Sequence, residues 1–147
     1  MGWGTLYEVS DNARQLLSTR RTKAEWYEAM GTLDLENTPK LNAEDSIRFW
    51  ASKLQSIDHP AASFFEGDLH AEYDEFDDPN VCFVGGESVR AFLIQFEELG
   101  KQFFVTLFPP PPHFPNAVGD SWLYDPLCTF LREVCLRGKA VIMLWEN

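Results

Sequence analysis

Residues 140–145 read AVIMLW, an unbroken apolar run set between Gly138-Lys139 and Glu146-Asn147. A strand with one wet face alternates apolar and polar side chains. A run this short and uninterrupted therefore reads as a strand covered on both faces. Just upstream, Asp125-Pro126 reads as a helix cap followed by proline at the first helical position. Leu127, Phe130, Leu131 and Val134 then form an apolar stripe that Gly138 ends. The same grammar recurs earlier. VCFV at 81–84 is a short buried-type strand, and Gly85-Gly86 leads into a helix striped by Val89, Phe92, Leu93, Phe96 and Leu99 and closed by Gly100.

Further out, TLYEV at 5–9 reads as a first strand. It is followed by Ser10-Asp11-Asn12, any of which can cap the helix carrying Ala13, Leu16 and Leu17. Arg20, Arg21 and Lys23 form the only basic cluster, ahead of a helical segment at 24–30 with Trp26, Tyr27 and Met30, which Gly31 ends. Asn42 reads as the N-cap of a helix with Glu44 and Asp45 in its first turn. Ile47, Trp50, Ala51, Leu54 and Ile57 make its core stripe, and His59-Pro60 stops it. FFVTLF at 103–108 reads as another strand, and the four prolines at 109–112 as a stiff extended connector. Together these elements predict one α+β domain over 1–147, a small mixed β-sheet packed by about four to five helices.

The chain has 147 residues, 45% of them hydrophobic, enough for one core without disulfides or a structural metal. Its three cysteines, Cys82, Cys128 and Cys135, form no CxxC pair and read as buried reduced thiols. No stretch approaches the roughly 18 apolar residues of a membrane span. The N-terminus MGWGTLYEVSDN also lacks a basic region followed by an apolar one, so a cytoplasmic location is expected. The net charge of −11 repels nucleic-acid backbones and anionic membranes and favours a cationic protein partner. That charge is unevenly spread: between Lys53 and Arg90 there is no basic residue but there are nine carboxylates.

The densest part, FFEGDLHAEYDEFDD at 64–78, interleaves aromatics with carboxylates. A rim of charge around ring anchors is how a surface steers and holds a cationic protein. The expected contact residues are Phe65, Glu66, Asp68, Glu72, Tyr73, Asp74, Glu75, Phe76, Asp77 and Asp78. The same segment also reads as a solvated acidic loop. In a third reading, Asp68, His70, Glu72 and Asp74 alternate along one strand face as a metal or carboxylate site. Calcium-loop and zinc-ligand spacings are absent, as are the GxSxG elbow and the glycine spacing of phosphate loops. No catalytic residue, metal or cofactor is therefore assigned.

Three segments, MGWGTLYEVSDNARQLL, FVGGESVRAFLIQFEEL and YDPLCTFLREVCLRGKAVIMLWEN, resemble the YfbM-like family of small bacterial proteins. The resemblance implies an α+β fold and brings no reaction, substrate or cofactor. In size, acidity and aromatic content the chain is also similar to bacterial immunity proteins, which block a cognate toxin. The functional expectation is an inhibitory binding protein, an immunity protein covering the active site of a basic toxin such as a nuclease. The alternatives are a phage-encoded inhibitor of a bacterial defence protein, or a small metal-dependent enzyme using the Asp68 to Asp74 alternation.

Overall fold

The computed structural model describes residues 3–72 and 80–146. Its centre is the strand β5 (Ala140–Trp145), flanked by β1 (Gly4–Val9) and β4 (Asn80–Val84); β2 (Lys40–Asn42) and β3 (Leu69–His70) form the edges, in the order β2-β1-β5-β4-β3. Every pairing is antiparallel, so the expected mixed sheet is an antiparallel one. The register puts Leu6, Met143 and Cys82 in one row and Tyr7, Ile142 and Phe83 in the next, on opposite faces.

Each face feeds a separate core, which is why AVIMLW does not alternate. Ala140, Ile142 and Leu144 join Val81 and Phe83 beneath α1 (Ala13–Ser18) and α2 (Lys23–Met30), with Leu17 and Trp26 from those helices. Val141 and Met143 face the thicker layer built by α3 (Ser46–Ser56), α4 (Gly86–Leu99), α5 (Lys101–Leu107) and α6 (Tyr124–Leu136). Gly4 lies close against this layer: a Cβ there would be 2.8 Å from Ile47 Cδ1 and 3.2 Å from the Glu44 carbonyl, so any larger residue would push the Ile47 side chain aside.

Trp50 is wholly buried, as its place in the α3 stripe predicts. It also explains why 103–108 is not a strand. Phe104 and Phe108 both stack on its ring, with centroids 4.3 and 5.6 Å away. Residues four apart lie about 6 Å from one another on a helix but about 13 Å apart along a strand, so only a helix brings both rings to one indole. Packing overrides the β preference of FFVTLF.

Two helix starts also differ from expectation. Asn42 is drawn into the sheet opposite Thr5, and its Oδ1 accepts the Glu44 N–H (3.1 Å), so α3 starts only at Ser46. At α6 a 3₁₀ turn, Asp120–Leu123, runs directly into the helix and moves its start to Tyr124, ahead of Asp125-Pro126. Asn12 occupies the α1 cap position without a side-chain bond. Ile57 lies past the end of α3 and is exposed. The α2 start, in contrast, is a full capping box between Thr22 and Glu25.

Candidate functional site

The acidic segment follows a 3₁₀ turn, Pro60–Phe65, which His59 caps by accepting the Ala61 N–H at Nδ1 (3.0 Å). That turn points both phenylalanines inward. Phe64 is surrounded by Phe65, Phe92 and Phe96 at 5.2 to 5.5 Å, and Phe65 is 3% exposed. Phe65 is therefore a core side chain, not the contact ring the composition predicts. Glu66 is exposed. Gly67, at φ 74°, then turns the chain against β4, where a Cβ would meet the Phe83 carbonyl at 2.6 Å.

Asp68 is an anchor of the fold. Its Oδ2 accepts the Gly85 N–H (2.7 Å) and lies 3.4 Å from the Arg14 guanidinium, while its Oδ1 accepts the Ser88 hydroxyl (2.7 Å). Asp11 accepts the neighbouring Gly86 N–H (2.9 Å). The positive end of α4, where the Gly85-Gly86 turn would receive an anion, thus faces two carboxylates of the chain itself. Past His70 the strand stops: Glu72 donates its N–H to the Arg21 carbonyl (2.7 Å) and pairs with the Arg21 side chain (3.2 Å). Asp68, His70 and Glu72 therefore do not share a strand face. Among the described residues no group of three or more His, Cys, Asp and Glu is placed to hold a metal ion.

The tertiary structure also brings cations to the acidic segment that its sequence neighbours do not supply. Arg14 and Arg21, from the opposite layer, each meet one of its carboxylates. Tyr73, Asp74, Glu75, Phe76, Asp77 and Asp78 lie outside the described residues.

Beside this segment, where β4 begins and β5 ends, is a cavity of about 410 Å³ with Phe65, Val81 and Trp145 in its wall and Lys23, Glu66 and His70 around it. Cys82 is also among its lining residues, and burial, reinforced by Asp68 and Glu66, pushes its thiol up to about 12. Burial likewise raises Cys128 and the half-buried Cys135. All three thiols are free and held in the protonated, poorly nucleophilic form.

A second exposed feature, which the composition alone did not single out, is the loop at 109–119 carrying Phe114 and Val118. The signal available in the sequence was the absence of any formally charged side chain, with histidine neutral, between Lys101 and Asp120 in so acidic a chain.

No family model matches this chain, and no curated protein matches it. Among solved structures, a protein of unknown function, YfbM from Escherichia coli, is similar with a TM-score of 0.70 over 97% of this chain and 99% of that one, at 12% identity. The resemblance read from the three segments is thus borne out as a shared α+β fold.

Proposed function

We propose that this chain is an inhibitory binding protein of the immunity type, which acts in the cytoplasm by covering the working surface of a cationic protein such as a toxin nuclease. The observation that supports this is the interval 54–89, with nine carboxylates and no lysine or arginine. Arg14 and Arg21 offset two of those charges. Asp58, Glu66 and Glu87 form no ion pair among the described residues. A one-signed field of this kind accelerates encounter with an oppositely charged protein, and packed contacts then slow dissociation. A phage-encoded inhibitor of a defence protein would use the same surface, and the identity of the partner separates the two.

The test is kinetic. After affinity capture and mass spectrometry name the partner, Glu66→Gln is combined with Asp74→Asn, Glu75→Gln, Asp77→Asn and Asp78→Asn. The combined variant should associate more slowly and with a flatter salt dependence. An unchanged association rate and salt slope would place the interface elsewhere.

A further inference from the structure

A stiff connector should span a gap, and the loop at 109–119 spans none. Gly119 sits so close to the Phe108 carbonyl that a Cβ on it would lie 2.5 Å from that oxygen, so the two ends of the loop touch. Both ends are fastened to one side chain. Phe108 stacks on the Trp50 ring, and the Trp50 indole N–H donates to the Asp120 carbonyl (2.9 Å). Between these roots, residues 109–118 are exposed without a break. Phe114 is 67% and Val118 75% exposed.

The loop is also pre-shaped. Five of its residues are prolines, each with φ held near −65°. The Phe114 N–H donates to the Pro111 carbonyl and the Ala117 N–H to the Phe114 carbonyl, both at 2.9 Å. A compact loop with touching ends, a rigid root and its own internal bonds loses little freedom when it binds. Holding a phenylalanine out in water on such a support has no use in the packing of this chain.

We infer that this loop is an insertion element, which places Phe114 and Val118 into an apolar cleft of a partner protein whose mouth carries little charge. The loop's own neutrality supports that choice, since it carries no formal charge and its two large exposed side chains, Phe114 and Val118, are apolar. A lipid surface is the poorer fit, because a chain of net charge −11 is repelled by anionic headgroups. The inference rests on the binding-protein reading and deepens it: the acidic segment draws the partner in and the loop enters its cleft.

Photo-crosslinking in the cell of origin tests it, with benzoyl-phenylalanine placed singly at positions 114, 66 and 136. Leu136 is 82% exposed and serves as the control. Adducts to one protein from 114 and 66, and none from 136, are expected. With that protein purified, Phe114→Ala should weaken binding about 30-fold. An adduct from 66 alone would overturn the insertion element and leave the binding reading intact, whereas no adduct from either position would overturn both. Adducts to lipid, equal labelling at 136, or full affinity of the folded Phe114→Ala variant would each overturn the loop's role.

Discussion

The Trp50 indole donates its only hydrogen bond to the backbone carbonyl of Asp120, seventy positions away, at 2.9 Å. The same locus is tied twice more: Ser46 donates its hydroxyl to Asp120 Oδ1 (2.8 Å), and the Trp122 indole donates to Ser46 Oγ (2.7 Å). One tryptophan in α3 thus sets both the aromatic stack of α5 and the root of the exposed loop.

Removing the two roles of Trp50 separately should show this. Trp50→Phe keeps a ring for the stack and leaves the Asp120 carbonyl without its donor, a loss of about 1–2 kcal/mol. Trp50→Ala also opens a cavity and should cost about 3–5 kcal/mol. Urea unfolding measures both, and elastase cleavage after Ala117 or Val118 in the exposed loop should accelerate already in the phenylalanine variant. Equal stabilities of the two variants would mean that ring packing matters little here.

The Glu8 side chain is only 7% exposed, and Arg137 donates to it from Nε at 2.8 Å. Arg137→Ala strands a nearly buried carboxylate. Because the arginine itself is 43% exposed, the cost should fall below that of a fully buried pair, at about 2 kcal/mol. Glu8→Gln retains an acceptor and removes the buried charge, so it should cost less than about 1 kcal/mol. Denaturation curves showing the glutamine variant as the less stable would contradict this assignment.

Alkaline stability should report on Cys82. Its native thiol titrates only near 12, against about 8.5 in an unfolded chain. Between those values the unfolded chain has released a proton that the native state keeps, so stability falls as pH rises, by about 1.4 kcal/mol per unit. Cys82→Ala lacks that contribution. From pH 8 to pH 10 the parent should therefore lose about 2 kcal/mol more than the variant. Parallel alkaline profiles from urea unfolding would show the thiol to be accessible.

Arg21 is 80% exposed and its partner Glu72 57%, so their ion pair adds little stability. Arg21→Gln should leave unfolding unchanged and deepen the negative field around the acidic segment. Association with the captured cationic partner should then speed up about twofold at low salt, with the difference vanishing at high salt. A slower association would mean that Arg21 itself touches the partner.

Several elements were legible in local sequence because their cause is local. An apolar run without alternation, as in β5, forms only where both faces are covered. The stripes of α4 and α6 and the terminators Gly100 and Gly138, at φ 80° and 64°, are set by helical period and by backbone freedom. Trp50 could be assigned to the core from its spacing alone.

What only the tertiary structure decided are the outcomes of contacts between distant residues. Whether FFVTLF becomes strand or helix depends on an indole more than fifty positions away. Whether Asn42 caps a helix or joins a sheet depends on Thr5 beside it, and whether the phenylalanines of the 60–65 turn face a partner or the core depends on the α4 rings packed around Phe64. The charge of the acidic segment was plain in the composition, but its partial cancellation by Arg14 and Arg21, and the recruitment of Asp68 to the end of α4, were not. Periodicity reports which face of an element is apolar; it carries no information on which other element will cover that face, and that pairing decided where the candidate site lies.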